Sequence, residues 1–331
     1  MHEYDHDWIG RCVLVTGGAG FIGTHLVNRL SAAGSHVRVL DDLSTGCPNW
    51  SDSGVEFIQG CVSSTETFQR AAEGCKTIFH LAGIVSISDC ERSPRRCEQI
   101  NTEAAATAAD VGVAVGATVV FSSSCAVYGA RPALPCTESA TLEPISTYGL
   151  SKARAETAIR ARIAECGLQA TCLRLFNVVG TGQRPDVPYA AAVPIFTAAM
   201  LEGKPLRIYG DGQQTRDFVP VDLAVEAMMR AAGSPCNRAV NVATGRKTSV
   251  LDLIAMLSKV IGRTPEYLHE EPRPGDIRHS IGDTRLLESS LGLPGQWQHD
   301  EALSRILPSI VQTIESTIHP TPSTSAHDPN R

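Results

Sequence analysis

The chain has 331 residues, of which 43% are hydrophobic, and a formal net charge of -6 at pH 7. This size and apolar content allow a large buried core, which excludes disorder as the default state. The basic residues are scattered along an acidic chain, which argues against nucleic-acid binding. No apolar run is long enough to span a membrane, and no N-terminal signal segment is recognised. We therefore expect a cytoplasmic protein that binds neither nucleic acid nor membrane.

The eleven cysteines form no C-x-x-C pair and do not cluster with histidines at zinc-ligand spacing, so no metal site is expected. Cys12 and Cys172 lie in apolar runs and are interpreted as buried free thiols. An odd number of cysteines fits a reducing compartment better than a disulfide scaffold, although spacing alone does not exclude one or two bridges.

From Arg11 onward, short apolar runs alternate with helix-period segments, a pattern typical of a parallel sheet covered by helices. The apolar runs are nearly continuous, which indicates strands that are covered on both faces. The predicted strands are 11–17, 36–42, 55–60, 76–82, 118–124 and 170–177. The predicted helices are 22–33, 64–73, 98–115 and 148–166. The fold class is therefore α/β, a Rossmann-type doubly wound parallel sheet.

After Asn177 the sequence breaks into Gly- and Pro-rich connections, which in a compact enzyme are usually binding loops. We assign these connections to a smaller C-terminal substrate-binding lobe and expect a strand at 238–245 to return to the large sheet. The tail has no apolar periodicity and is expected to be disordered. The predicted division is 1–177 with 221–245 for the dinucleotide-binding domain, 178–220 and 246–315 for the lobe, and 319–331 for the tail.

A glycine-rich turn joins the first predicted strand to the first helix. It contains Gly17, Gly20 and Gly23. Such glycines permit a tight turn, close approach of backbone N–H groups to a pyrophosphate, and close packing of helix on strand. Asp41 ends the second strand, where a carboxylate accepts hydrogen bonds from the adenosine ribose. The same carboxylate would repel the extra phosphate of NADP, so the predicted cofactor is NAD.

A second group of polar residues follows the fifth strand. Ser124 ends that strand, and Tyr148 and Lys152 lie four residues apart on one face of a predicted helix. A phenol with a pKa near 10 is a poor base at neutral pH, and lowering that pKa by about three units requires about 4 kcal/mol. Lys152 together with a positive nicotinamide ring is expected to supply this energy. Tyr148 is then the predicted base for a substrate hydroxyl, with Ser124 holding the same oxygen.

The glycine spacing, the Tyr148-Gly-Leu-Ser-Lys152 motif and the serines at 122–124 together resemble the extended short-chain dehydrogenase/reductase family. The resemblance covers about residues 11–310 and is strongest to the UDP-galactose 4-epimerase branch. It implies an NAD-dependent 4-epimerase of a nucleotide-diphosphate hexose that acts through a transient 4-keto intermediate. It also implies a homodimer through the helices at 98–115 and 148–166, although the residues alone equally allow these helices only to cover the sheet.

The resemblance implies a set of cofactor contacts along the same edge of the sheet. These are Gly17, Gly20, Phe21, Ile22, Gly23, Asp41, Asp42, Ser44, Thr45, Gly46, Cys61, Val62, Leu81, Ala82, Gly83, Asn101, Ser122, Tyr148, Lys152, Phe176 and Val178. Asn101 is expected near the adenine or as a support for the loop at 81–83. One departure is Cys61, since the family commonly has an Asp there for the adenine amine. Backbone contacts from Val62 stay available, so NAD affinity is expected to be lowered rather than lost.

The residues after Ser124 restrict the reaction. The 4,6-dehydratases of the family place an Asp-Glu pair there, and the UDP-glucuronate decarboxylases place a Glu at the second position. Here the two positions hold Cys125 and Ala126, which do not transfer those protons. Chemistry confined to C4 remains. It comprises epimerisation and one-way reduction or oxidation. The alternatives to an epimerase are an NDP-4-keto-sugar reductase and, in a different class, a non-catalytic NAD- or sugar-nucleotide-binding regulator.

Polar residues beyond the sixth strand are candidates to bind the nucleotide sugar, since Arg pairs well with phosphate oxygens. The predicted substrate residues are Val85, Ser86, Ser124, Tyr148, Asn177, Val193, Arg207, Arg216, Arg273, Asp276 and Ser280. By resemblance, Ser280 occupies a gate that is a bulky Tyr in epimerases restricted to unacetylated hexoses. UDP-GlcNAc and UDP-GalNAc are therefore expected beside UDP-glucose and UDP-galactose. Arg184 in a QRPD segment keeps a UDP-glucuronate 4-epimerase as an alternative.

Overall fold

The computed structural model describes residues 5–130, 132–186, 191–272, 277–293 and 302–318. The predicted tail at 319–331 therefore lies outside the described residues. In chain order the strands are β1 (Cys12–Thr16), β2 (His36–Asp41), β3 (Glu56–Gln59), β4 (Thr77–His80), β5 (Thr118–Ser124), β6 (Ala170–Leu175), β7 (Asn177–Val179), β8 (Leu206–Tyr209), β9 (Thr215–Arg216), β10 (Phe218–Pro220), β11 (Ala239–Val242), β12 (Thr248–Ser249) and β13 (Tyr267–Glu270).

The helices cover the sheet and build the smaller lobe. They are α1 (Phe21–Ala32), α2 (Thr65–Ala72), α3 (Ile87–Arg92), α4 (Pro94–Cys97), α5 (Ala104–Val115), α6 (Thr147–Cys166), α7 (Ala192–Leu201), α8 (Val221–Gly233), α9 (Val250–Ile261), α10 (Arg285–Leu291) and α11 (Ala302–Ile318). A π-helical turn at Glu98–Glu103 runs directly into α5, so the predicted helix at 98–115 is these two elements joined.

Seven strands form one parallel sheet in the order β11-β6-β5-β4-β1-β2-β3, which confirms the Rossmann-type fold. Each of the six predicted strands is present, and β11 pairs in parallel with β6 within the segment expected to return to the sheet. Val13, Leu14 and Val15 of β1 are fully buried because side chains on both faces of the sheet are covered by helices.

The covering helices form two layers with separate hydrophobic cores. On one face, α1 and α8 pack together over the sheet and bury residues such as Leu26 and Met228. On the other face, α2, α5 and α6 bury residues such as Phe68 and Ile159. A third core joins α7, α9, α11 and β8, and it underlies the smaller lobe. Within the described residues, no helix is both long and apolar enough to cross a membrane.

The cysteine predictions are corrected in part. Cys172 is a buried free thiol as expected, whereas Cys12 at the start of β1 is only half-buried. Cys90 and Cys97 are joined in a disulfide between α3 and α4, which the sequence spacing did not indicate. A disulfide requires two Cα atoms to approach within about 7 Å with suitable Cβ directions, and sequence spacing alone does not determine this.

The strand order reverses between β1 and β4, because β2 and β3 lie on one side of β1 and β4 to β6 on the other. In doubly wound sheets, ligands bind beyond the carboxyl ends of the strands at such a switch point. All seven strands are parallel, so the residues that follow β1, β2, β4, β5 and β6 share this edge. The fold thus brings the predicted cofactor and catalytic residues to one side of the molecule.

Candidate active site

The glycine loop is packed too tightly for side chains. Gly17 has a φ of +71°, and a Cβ on it would lie 2.6 Å from the backbone N of Ala82 in the loop after β4. A Cβ on Gly23 would lie 2.1 Å from the carbonyl oxygen of Gly17. Helix α1 begins at Phe21, directly after the loop. The exposed N–H groups of this helix end and the absence of Cβ atoms together form a cradle for a pyrophosphate.

Asp41 ties the second strand to this cradle. Its Oδ2 accepts a hydrogen bond from Ala19 N at 3.0 Å, and its Oδ1 accepts one from Leu43 N at 2.8 Å. A carboxylate has about four acceptor positions, so capacity remains for ribose hydroxyls. Trp50 supports the loop from outside, because its indole N–H donates to Gly18 O at 3.0 Å. These contacts fit the adenosine side of a dinucleotide.

The other predicted cofactor residues follow β2, β3, β4 and β6. Asp42 is exposed and accepts from Ser44 N, which is the geometry of a turn acid. A Cβ on Gly46 would lie 2.5 Å from Ala19 O, so the loop that includes Ser44 and Thr45 lies against the glycine loop. Elsewhere, Leu81, Ala82 and Gly83 follow β4 and are half-buried, Cys61 contacts Ser63 Oγ, and Val62 and Phe176 are buried.

The structure brings Ser124, Tyr148 and Lys152 together. Ser124 is the last residue of β5; its Oγ accepts from Ala126 N at 3.2 Å and lies beside the Tyr148 hydroxyl. Tyr148 and Lys152 lie on α6, whose N-cap Ser146 accepts from Gly149 N at 3.0 Å. Lys152 is 2% exposed and donates from Nζ to Ser122 O at 2.8 Å. The trio therefore occupies the carboxyl edge of the sheet beside the loop after β4.

Burial dominates the ionisation of this trio. It raises the pKa of Tyr148 to about 12, and the hydrogen bond with Ser124 acts against that rise. It lowers the pKa of Lys152 to about 8, and the carboxylate of Glu156 one turn along α6 acts against that fall. The expectation that Lys152 together with a positive nicotinamide ring favours the Tyr148 phenolate stays a prediction. An additional positive charge beside Tyr148 is needed to favour the phenolate.

Three predicted substrate residues lie on connected segments. Asn177 begins β7. Its Oδ1 is buried without a hydrogen-bond partner, so this oxygen can accept a hydrogen bond from a ligand. Arg216 donates from Nη1 to Ile277 O at 2.6 Å, which fixes its guanidinium against the chain that leads to Ser280. Ser280 donates its N–H to Thr215 O at 3.2 Å, and its side chain lies beside Cys125.

Other predicted substrate residues are placed differently. Val193 is fully buried in the core of the smaller lobe, so its side chain presents no surface to a sugar and that prediction is wrong. Arg207 lies on β8 and pairs with Glu270 of β13 at 3.1 Å. Val85 is 72% exposed, and Ser86 caps α3 by accepting from Asp89 N. Arg273 and Asp276 lie outside the described residues.

The sequence analysis missed a buried polar network behind the trio. Glu156 is fully buried and accepts from Ser123 Oγ at 2.6 Å and from Arg174 Nη2 at 2.8 Å. Arg174 Nη1 also donates to Tyr128 OH at 3.0 Å. A charged residue inside the apolar strand of β6 was the available signal, because buried charges require partners. The network fixes α6 to β5 and β6 next to the trio.

The switch-point crevice, the glycine loop and the Ser-Tyr-Lys trio define a dinucleotide-dependent enzyme of the extended short-chain dehydrogenase/reductase type. The model of the NAD dependent epimerase/dehydratase family matches residues 13–243, and the chain belongs to this family. The prediction of an NAD-dependent nucleotide-sugar epimerase is confirmed, and its cofactor is NAD.

Similar proteins support the family along nearly the whole chain. A UDP-glucose 4-epimerase of Mycolicibacterium smegmatis is 34% identical over 311 residues, which are 91% of this chain and 97% of the relative. The structure resembles a UDP-N-acetylglucosamine 4-epimerase from Methanobrevibacter ruminantium with UDP-N-acetylmuramic acid bound, at a TM-score of 0.88, 32% identity and coverage of 93% and 99%. It also resembles a UDP-glucose 4-epimerase from Thermotoga maritima with UDP-glucose bound, at a TM-score of 0.87 and 33% identity, with coverage of 93% of this chain and 99% of the other.

Proposed function

We propose that the protein is an NAD-dependent 4-epimerase of UDP-hexoses, with Ser124, Tyr148 and Lys152 as its catalytic residues. The observation that carries the proposal is the placement of this trio at the carboxyl edge of β5, next to the loop after β4 and the glycine loop. An epimerase must hold one sugar hydroxyl beside a base and beside the dinucleotide at the same time. The arrangement satisfies this requirement.

The chain's own residues move the proton. Bound NAD supplies a hydride acceptor and a positive ring. Tyr148 takes the proton of the C4 hydroxyl, and Ser124 hydrogen-bonds the same oxygen and keeps it in line. Lys152 keeps its position by donating to Ser122 O, and its charge favours the phenolate of Tyr148. For inversion, the 4-keto sugar must rotate so that its opposite face lies towards the nicotinamide, and Tyr148 then returns the proton to the C4 oxygen.

The nucleotide must be held while the sugar turns. Asn177 offers a buried acceptor without a partner, and Arg216 offers a guanidinium on the neighbouring segment. We propose that these two residues contact the UDP, and we include UDP-GlcNAc and UDP-GalNAc among the substrates because Ser280 is small. The similar proteins named for UDP-glucose and for UDP-N-acetylglucosamine support both sugar classes.

We also propose a homodimer formed through the outer faces of α5 and α6. Val113 of α5 is 38% exposed and Leu150 of α6 is 40% exposed, so apolar side chains are available on both helices. The division into a dinucleotide domain and a substrate lobe is likewise proposed, with support from the separate core of α7, α9 and α11.

The proposed reaction is tested with the purified protein and no added NAD. UDP-glucose, UDP-GlcNAc and UDP-glucuronate are incubated separately, and the C4 configuration is followed by proton NMR. We expect C4 epimers of the first two sugars, because an epimerase regenerates its cofactor in every turnover. Conversion of UDP-glucuronate alone would replace the proposed substrate. Absence of any epimer, even with added NAD, would contradict the 4-epimerase and favour a 4-keto-sugar reductase.

The role of Ser280 gives a separate prediction. Ser280→Tyr places a large side chain at a position that is 8% exposed and next to Cys125. We expect kcat/KM for UDP-GlcNAc to fall at least tenfold relative to that for UDP-glucose. The tyrosine side chain would fill the space that the acetamido group needs, and small differences in pocket size discriminate similar substrates by about this factor. The matched control is Ser289→Tyr on the exposed side of α10. An unchanged ratio in Ser280→Tyr would remove this residue from the gate.

A further inference from the structure

A short disulfide-closed segment lies beside the catalytic helix. Between β4 and α5 the chain forms α3 and α4, and the disulfide joins Cys90 to Cys97, seven residues apart. Both sulfur-bearing residues are fully buried, whereas all six residues between them are exposed. We call residues 90–97 the clamp segment.

Glu91 of the clamp segment holds the start of α6. Its Oε1 accepts from Thr147 N at 2.7 Å, and its Oε2 accepts from Thr147 Oγ1 at 2.8 Å. Thr147 is the first residue of α6 and directly precedes Tyr148. A carboxylate at this position satisfies an unpaired N–H of the first turn and interacts favourably with the helix dipole. The clamp segment thus fixes the end of α6 from which Tyr148 projects.

Asn101, which follows the clamp segment in the chain, contacts the same helix one turn later. Asn101 is fully buried, and its Nδ2 donates to Ser151 Oγ at 3.0 Å and lies 3.4 Å from Cys97 Sγ. Its Oδ1 accepts from Ile84 N at 2.8 Å in the loop after β4. Ser151 is the neighbour of Lys152. Asn101 therefore joins the disulfide, the loop after β4 and the catalytic helix at one point.

We propose that the clamp segment positions Tyr148 and Lys152 through Glu91 and Asn101, and that its disulfide is a site of reversible thiol–disulfide exchange that sets the turnover rate. This inference rests on the proposed catalytic role of the trio. In the reducing direction a dithiol gives two electrons and two protons to the S–S bond. Cys90 and Cys97 become thiols, and the dithiol becomes a disulfide. Oxidised glutathione reverses the step and leaves as two molecules of glutathione.

The exposure pattern explains how buried sulfur atoms can react. The side chains of the six residues between Cys90 and Cys97 are exposed, so the segment can open locally while the sheet stays folded. In the oxidised form the ring limits the positions open to Glu91, because a closed loop has fewer conformations than an open one. Reduction removes this limit, and Glu91 and Asn101 then hold α6 less often in the catalytic geometry.

The test compares holoenzyme equilibrated with dithiothreitol and with oxidised glutathione. Mass spectrometry verifies the redox state, since trypsin cuts after Arg92 and Arg96 and leaves two peptides that are linked only in the oxidised form. We expect kcat to fall about fivefold on reduction, because this factor corresponds to the free energy of losing a helix cap. KM should change less than about twofold. Cys90→Ser/Cys97→Ser should show the low kcat under both conditions.

A second sulfur pair provides the matched control. Cys12 and Cys75 lie with their Sγ atoms 3.3 Å apart near the amino ends of β1 and β4. Cys12→Ser/Cys75→Ser should keep the full redox response. Glu91→Gln should lower kcat of the oxidised enzyme and add no further loss on reduction, whereas a merely structural residue would add its loss in both states. The matched control for Glu91→Gln is Glu66→Gln, on the exposed side of α2.

Two results would overturn the clamp. One is an equal kcat in both verified redox states, and the other is loss of the response in Cys12→Ser/Cys75→Ser. Tyr148→Phe separates this failure from failure of the proposed site. An inactive Tyr148→Phe with a redox-insensitive wild type overturns the clamp alone. An active Tyr148→Phe overturns the catalytic assignment, and the clamp falls with it.

Discussion

Tyr148→Phe is expected to lower kcat for the epimerisation by about 10³-fold while leaving NAD bound, because general acid–base catalysis contributes about 10² to 10⁴. The substitution removes only the phenolic oxygen. That oxygen lies beside Ser124, and burial raises its pKa to about 12, so a positive charge nearby is needed to favour the phenolate. The rate of sugar conversion, measured by NMR at saturating substrate, tests this prediction.

The control is Tyr267→Phe, because Tyr267 is 46% exposed on β13 and hydrogen-bonds nothing that the mechanism uses. The pH profile gives a second readout. Tyr148 must lose its proton and Lys152 must keep one. Because the pKa of Tyr148 is about 12 and that of Lys152 about 8, kcat should rise with pH and level off above the lowered pKa of Lys152. Tyr148→Phe with kcat within tenfold of wild type would contradict the role of Tyr148 as base.

The sheet and its ligand edge were predictable from sequence because their signals are local. A continuous apolar run such as 118–124 must be covered on both faces, and parallel strands place their carboxyl ends on one edge. The glycine loop and Asp41 need only a strand, a turn and a second strand in order. Tyr148 and Lys152 need only helical spacing. Each of these features depends on residues that are close in sequence.

The features that sequence did not reveal depend on contacts between distant segments. Val193 has the apolar character of either a substrate pocket or a core residue, and only its packing in the smaller lobe decides. Asn101 was expected near the adenine or as a support, and its contacts with Ile84 and Ser151 show the support. The raised pKa of Tyr148 was not predicted, because burial of its hydroxyl depends on packing between distant segments.

The buried pair Glu156 and Arg174 shows why the trio can be held on separate elements. Glu156 lies on α6, Arg174 on β6, and Ser123 on β5 directly before Ser124. Removing one member of such a pair leaves an uncompensated buried charge, which is strongly destabilising. The network therefore restricts the sliding of α6 along the sheet, and the distance between Ser124 and Tyr148 is preserved.

Gly23→Ala is the substitution with the second largest expected effect. The new Cβ would lie 2.1 Å from Gly17 O and 2.7 Å from Gly18 Cα, and both are backbone atoms that no side-chain rotation can relieve. Either α1 or the glycine loop must move, and both movements displace the N–H groups that hold the pyrophosphate. We expect NAD affinity to fall at least tenfold, since overpacking costs about 1 to 3 kcal/mol.

Gly233→Ala supplies the matched control for this clash. Gly233 ends α8, and a Cβ there meets no atom within 4 Å. Alanine at that position should bind NAD like wild type and stabilise the fold slightly, because it reduces the freedom of the unfolded chain. Titration calorimetry of NAD into stripped protein and thermal unfolding measure both effects. If Gly23→Ala bound NAD as tightly as Gly233→Ala, close packing of α1 on the glycine loop would not be what builds the cofactor site.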